Sequence, residues 1–244
     1  EASLKLTQAN QRLKDFDALK DDFLSMISHE LRTPLTSIRA FSEILLSSGG
    51  TTTQERKKFL GIITKESIRL TRLIDQILDL AKMESGRMNW TMSNLNPGDI
   101  LAEALATMDG LIKEGKIEMI VNISENIPKI RADKDQLVQV VINVVSNAIK
   151  FCKNPGGVIR FSAQETRNGL LVSISDNGKG IPPEYRDFIF EKFHQTRQGF
   201  NEMPIGTGLG LAICRQIITF FGGKIWADNG ENDGALISFY IPFA

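Results

Sequence analysis

The chain has 244 residues, enough for one large domain or two modest ones, and its 42% hydrophobic and 24% charged content is that of a globular protein rather than a disordered one. Lys plus Arg and Asp plus Glu are equal at 29 each, so no net charge draws it toward nucleic acid or anionic lipid. Cys152 and Cys214 form no CxxC pair, which speaks against a disulfide framework or a cysteine metal centre, and no apolar run approaches the roughly 20 residues of a membrane span.

From the N-terminus, Leu6, Ala9, Leu13, Phe16 and Phe23 fall on a heptad track, with Lys20 in one slot, and predict an incoming coiled-coil helix over residues 1–20. The chain begins without methionine in the middle of that pattern, as a piece of a longer protein would. The apolar stripe continues through Ile27, Leu31, Leu35, Ile38 and Leu45. Gly49-Gly50 ends one helix, and Thr53 is placed to cap the next. A second track runs through Phe59, Ile63, Leu70, Leu73, Ile77 and Leu80, with polar Glu66 in one slot. Two helices joined by a short loop predict an antiparallel hairpin over residues 21–90. Each inner face is too apolar for a single partner, so two copies are expected to form a four-helix bundle, a homodimer.

Glu84-Ser85-Gly86-Arg87 and Asn94 to Asp99 mark a boundary, after which the period changes. Helical patterns occur at Asp99–Glu114, Lys134–Lys150 and Gly210–Gly222, and strand-like runs at Lys116–Ile123, Val158–Ala163, Leu170–Ser175 and Ile237–Ile241. Strict βαβ alternation is lacking, so residues 91–244 read as a two-layer α+β domain rather than a doubly wound one.

Three motifs in this second part carry chemistry. In Asn143 to Phe151, the side chains of Asn143, Asn147 and Lys150 share one face of an otherwise apolar helix. Burying two carboxamides and an ammonium without partners is expensive, whereas Asn147 suits Mg2+ as an oxygen donor and Lys150 suits a phosphate. In Asp176 to Pro182 a carboxylate at a strand end precedes Gly178 and Gly180; it can accept a hydrogen bond from an exocyclic amine while bare backbone admits a flat ring. In Gly206 to Ile213 the glycines at 206, 208 and 210 open a helix and expose backbone N–H groups to an anion. This is neither the Rossmann fingerprint, because Leu211 stands where a third glycine belongs, nor a P-loop.

The fourth motif is Ser28 to Ile38, SHELRTPLTSI. A proline inside a helix costs roughly 3 kcal/mol. Pro34 removes the hydrogen bond to the carbonyl of Glu30, one residue past His29, and so puts a soft point there.

Taken in order, SHELRTPL, NVVSNAIKF, DNGKGIP, FEKF (Phe190 to Phe193) and GTGLGL resemble the H, N, G1, F and G2 boxes of the sensor histidine kinases of two-component systems, from about Asp21 to the C-terminus. The resemblance implies a dimerisation and histidine-phosphotransfer hairpin followed by a catalytic ATP-binding α/β sandwich of the kind shared with gyrase and the Hsp90 chaperones. It implies that His29 accepts the phosphoryl group, with Glu30 as the neighbouring acid and Thr33 as the residue tied to phosphatase activity. Asn147 corresponds to the Mg2+ ligand, and Asn143, Lys150 and Phe151 line the nucleotide. Asp176 reads adenine beside Gly178 and Gly180, and Gly206, Thr207, Gly208, Leu209 and Gly210 form the phosphate side of the ATP lid, which spans His194 to Ile205. Many relatives carry an arginine two residues after the position of Phe193; here Gln195 stands there and Arg197 is the alternative cation.

The implied partners are ATP, Mg2+, a second copy of the chain and the receiver domain of a response regulator. An upstream sensor domain is expected outside the chain, with a cytoplasmic location and any membrane anchor in segments not present here. A neutral imidazole is a competent nucleophile near pH 7. Glu30 can take a proton from one ring nitrogen, and Thr33, four residues on, can orient a water. Two other classes share part of this pattern. A conformational ATPase of the gyrase or chaperone type needs no histidine, and a docking scaffold needs no intact nucleotide motifs.

Overall fold

The structure is a computed structural model that describes residues 25, 27–47, 52–192, 208–230 and 233–243. The expected coiled coil at 1–20, the Gly49-Gly50 break, the stretch from His194 to Ile205, and Gly206 and Thr207 lie outside the described residues. The chain divides into two compact units, Glu1–Leu78 and Asp79–Ala244. Among the described residues no helix is long and apolar enough to cross a membrane.

The first unit is built from helix α1 (27–47) and helix α2 (Thr53–Glu84) as far as Leu78; the end of α2, from Asp79, belongs to the second unit. The rings of Phe41 and Phe59 meet at 5.3 Å, and Glu30 meets Arg69 further along. Numbers fall along one helix as they rise along the other, so the two are antiparallel. The inner face of α1 runs through Ile27, Leu31, Pro34, Ile38, Phe41 and Leu45. Pro34 is buried there and Leu35, expected on the stripe, is 57% exposed. A helical step of three residues from Leu31 keeps the stripe facing α2, whereas a step of four carries Leu35 onto the flank. Ile44, Leu46, Leu60, Ile68, Ile74 and Leu78 also remain exposed.

Helix α2 starts with a capping box. The Glu55 N–H donates to Thr52 Oγ1 (3.3 Å), and the Thr52 N–H and hydroxyl both donate to Glu55 Oε2 (2.8 Å each). These bonds hold the Glu55 carboxyl below its ordinary range. The cap is therefore Thr52 rather than Thr53, because only Thr52 has a glutamate three residues on.

The second unit contains β1 (Met92–Leu95), α3 (Pro97–Glu114), β2 (Glu118–Ile123), β3 (Ile130–Asp133), α4 (Lys134–Phe151), β4 (Val158–Thr166), β5 (Gly169–Asp176), α5 (Gly210–Phe220), β6 (Lys224–Asn229) and β7 (Ala235–Pro242). Five strands form a sheet in the order β2-β4-β5-β7-β6; β2 and β4 are parallel and the other pairs antiparallel. The small β1–β3 pair is separate. Register places Phe161, Ile174 and Ile237 in one row and Ala163, Val172 and Phe239 in the next. All six are buried, as are Leu137, Val140, Val141, Val144 and Val145 of α4 and Ile213 and Ile217 of α5. The inward residues of the sheet and the apolar faces of the helices thus make one core.

Local chemistry sets the element ends. Asn96 caps α3 by accepting from the Gly98 N–H, with Pro97 in the first turn. Asp133 caps α4 by accepting from the Asp135 and Gln136 N–H groups. Helix α5 stops at Phe220, two residues short of the expected end. Gly222 takes φ of +75°, and the Gly223 and Gly222 N–H groups donate to the carbonyls of Ile218 and Thr219, the pairing of a left-handed helix stop. Strands β1, β3 and β6 are not evident in the sequence. The first two have four residues each, too few to show alternation, and β6 buries only Ile225.

Candidate functional site

Helix α4 is the spine of one candidate site. Asn143 donates from Nδ2 to the carbonyl of Gly210 (3.4 Å), which ties the middle of α4 to the start of α5. At the end of α4, the Phe151 carbonyl oxygen lies 2.1 Å from where a Cβ on Gly178 would sit. Asn147 is four residues from each of these contacts, on the turn between them. Its carboxamide is half-buried and makes no hydrogen bond to other described residues. Lys150 is exposed on the same helix, and the Phe151 ring is 52% exposed.

Asp176 closes β5. It has the parity of Val172 and Ile174, so its side chain turns inward with theirs and is 8% exposed. Oδ1 accepts from the N–H groups of Gly178 (2.8 Å) and Ala235 (3.3 Å). Oδ2 receives no protein donor among the described residues. Burial pushes this carboxyl above the ordinary carboxylate range, and the two backbone bonds offset part of that rise. A half-satisfied, desolvated carboxylate strongly favours an N–H donor from a ligand.

The backbone around Asp176 is packed too closely for side chains. A Cβ on Gly178, Gly180 or Gly234 would lie 2.1, 2.1 or 1.9 Å from a main-chain oxygen, of Phe151, Asp233 or Asp176 respectively. Gly180 also takes φ of +72°. The sequence points to Gly178 and Gly180 but not to Gly234, which lies 58 positions from Asp176 and reaches it only through the β5–β7 pairing.

Two asparagines also escape sequence reading. Asn177 accepts from the N–H groups of Lys153 (3.2 Å) and Val158 (3.1 Å) and donates to the Gly156 carbonyl (2.8 Å), so it braces the loop after α4. Asn229 accepts from the Ile181 N–H (2.8 Å) and fixes the segment after Gly180. The available signal for Asn177 is its position beside Asp176, where it reads as an ordinary turn residue.

At the start of α5, Gly208 takes φ of +66°, and no side chain caps the first turn. Its N–H groups are arranged as an anion site would need. Leu209, expected beside the nucleotide, is 1% exposed; its side chain is part of the core, so only its backbone can face a ligand. Residues 186–192 are tied to other elements. Arg186 pairs with Asp228 (2.6 Å), Glu191 with Arg215 (2.9 Å) and Lys192 with Glu84, while Phe190 is buried.

The second candidate site lies on α1, in the other unit. His29 is exposed. The Thr33 hydroxyl donates to the His29 carbonyl (3.2 Å), a back-bond that favours bending, and Pro34 next to it leaves the Glu30 carbonyl without its helical donor. Glu30 is largely buried and pairs with Arg69 of α2 (3.5 Å). The structure thus groups Asn143, Asn147, Lys150, Phe151, Asp176, Gly178, Gly180, Gly208 and Gly210 within one unit and His29, Glu30 and Thr33 within the other.

Comparison with known proteins gives a consistent result. Residues 19–86 match the His Kinase A (phospho-acceptor) domain, and residues 132–244 match the histidine kinase-, DNA gyrase B- and HSP90-like ATPase family. The sensor histidine kinase WalK of Bacillus subtilis is 31% identical over 229 residues, 93% of the chain. The chain spans 37% of that protein's length and 16% of the similar hybrid signal transduction histidine kinase D of Dictyostelium discoideum. Among solved structures, the catalytic domain of histidine kinase ThkA is 32% identical, with a TM-score of 0.55 over 64% of this chain and 98% of that one. ThkA in complex with the response regulator protein TrrA is 28% identical, with a TM-score of 0.71 over 95% of this chain and 64% of that one. A helical hairpin followed by this α/β ATPase fold is the expected architecture.

Proposed function

The chain belongs to the sensor histidine kinases of two-component systems, and on that premise we propose that it phosphorylates His29 from ATP and then passes the phosphoryl group to an aspartate of a response regulator. The observation that carries this reading is the pairing, in one chain, of an exposed imidazole beside a helix proline with a buried carboxylate that keeps one oxygen open. A conformational ATPase has no use for the first.

In this reading Asp176 Oδ2 accepts the adenine amine, while the glycine backbone at 178 and 180 admits the ring. Lys150 and the open N–H groups of α5 meet the phosphates. Asn147 fits Mg2+: its carboxamide offers one neutral hard oxygen that makes no hydrogen bond to other described residues, a donor suited to a cation carried by phosphates. Bound there, Mg2+ neutralises phosphate charge. A ring nitrogen of His29 attacks the γ-phosphorus in line, the N–P bond forms as the bond to the β-phosphate oxygen breaks, and ADP leaves. Glu30 takes the proton from the other ring nitrogen. An aspartate oxygen of the regulator then displaces the imidazole in the same manner. Thr33 keeps lone pairs with which to orient a water for hydrolysis.

The exposed apolar residues Leu46, Leu60 and Ile68 on the hairpin support a homodimer in which two hairpins complete a four-helix bundle. Use of ATP and a soluble regulator favours a cytoplasmic site of action, with a sensor and any anchor supplied by the longer protein. The test is incubation with γ-labelled ATP. The parent takes up alkali-stable, acid-labile label, and His29→Gln and Asn147→Ala take up none. A mixed dimer of the two variants then separates transfer within a protomer from transfer between protomers. Label retained in His29→Gln would sink the reading.

A further inference from the structure

Glu66 occupies a slot on the apolar track of α2, between Ile63 and Leu70, and its side chain is only 19% exposed. Glu30, opposite it on α1, is 13% exposed. Two carboxylates held this far from water need a cation. Among the described residues Arg69 supplies it: its Nη2 lies 3.5 Å from Glu30 Oε2 and its Nη1 lies 3.7 Å from Glu66 Oε2. Both separations exceed the 2.7–2.9 Å of a full charge-assisted hydrogen bond. One guanidinium is thus shared between two acids and fully engaged with neither.

Adjacent helix residues point about 100° apart, so His29 faces solvent while Glu30 faces α2. A carboxylate engaged by Arg69 on the inner face is not the one that takes a proton from His29. The ion pair and the proton transfer compete for the same oxygen atoms. We propose that Arg69 and Glu66 are positioning residues for phosphorylation of His29: Arg69 withholds Glu30 from the imidazole, and Glu66 releases Glu30 by drawing Arg69 toward itself. In the released arrangement Glu30 accepts the imidazole proton as the N–P bond forms and ADP departs. The proposal rests on the reading of Glu30 as proton acceptor given above.

The two residues therefore act with opposite sign, which a purely structural network does not do. In the full chain with γ-labelled ATP, Glu66→Gln leaves Arg69 wholly on Glu30 and slows phosphorylation of His29 at saturating ATP by about two- to fivefold, the range expected for a partly exposed ion pair. Arg69→Gln frees Glu30 and does not slow the reaction, and adding Glu66→Gln to Arg69→Gln has no further effect. Arg69→Lys keeps the charge and preserves the response to Glu66→Gln. The KM for ATP is unchanged throughout, since the nucleotide site lies in the other unit. In a Glu30→Gln background neither substitution alters the rate.

If Arg69→Gln and Glu66→Gln both slow the reaction and their effects add, the proposal is overturned and the cluster only holds the hairpin together. If Glu30→Gln alone leaves the rate at the parent level, the reading of Glu30 fails, and the proposal falls with it. A slow Glu30→Gln with an unaffected Glu66→Gln overturns the proposal alone.

Discussion

The two units solve opposite problems. The hairpin keeps its chemistry outside: His29 and Thr33 are exposed, and several large apolar residues stay uncovered beside them. The α/β unit keeps its chemistry inside, with Asp176 at the edge of a core that contains Phe161, Phe239 and Ile217. In the proposed function, an acceptor that meets a nucleotide and then a second protein has to be reachable. A recognition group gains strength from exclusion of water. The contrast predicts that changes in the hairpin alter transfer and spare binding, while changes in the α/β unit do the reverse or unfold it.

The largest effect expected is from His29→Gln, which removes all label from the chain while leaving ATP affinity within twofold of the parent, measured by calorimetry. Loss of ATP affinity as well would break the division of labour. Next, Phe161→Ala empties a fully buried position and should destabilise the α/β unit by about 3–5 kcal/mol in denaturant melts. Leu46→Ala on the hairpin, 88% exposed, should change the stability of the protomer by no more than about 0.5 kcal/mol.

Asp176→Asn sharpens the comparison, because function and stability should move apart. Loss of the ionised acceptor weakens ATP binding by about 10- to 100-fold, as for a hydrogen bond to a charged group. The buried carboxyl has a raised pKa, so the folded state binds its proton more tightly than the unfolded state. Stability therefore falls as pH climbs from the ordinary value of 3.8 through the raised one. The asparagine variant should melt above the parent at pH 7, with the gap closing on acidification. A gap that widens instead would show that Asp176 is not penalised by burial. A smaller effect than that of Asp176→Asn is expected from Thr52→Ala, which breaks the capping box of α2 and costs about 1 kcal/mol, read from helical content on heating.

How much was legible follows from the reach of each signal. Periodicity over many residues gave α2, α3 and α4 to within a few positions, and β4, β5 and β7 by their apolar alternation. Local signals failed where the deciding partner is distant. Leu35 looks like a stripe residue until Pro34 is seen facing α2, and nothing local shows that the Leu209 side chain packs in the core and leaves only its backbone for a ligand. Asp176, Gly178 and Gly180 sit in one short motif and could be read together. Gly234, Asn229 and Arg69 serve the two sites from other elements, and no spacing rule connects them to their partners.

The crowding at Gly178, Gly180 and Gly234 has a consequence for inhibitors. The surface that surrounds Asp176 is main chain pressed against main chain, and adding even one methyl group at any of the three glycines would force backbone apart. Apart from the Asp176 carboxylate, a compound that lies flat on this surface contacts main-chain atoms, which no substitution removes. Escape by substitution would have to come from more peripheral side chains such as Phe151, so resistance should emerge slowly against ligands that make no use of them.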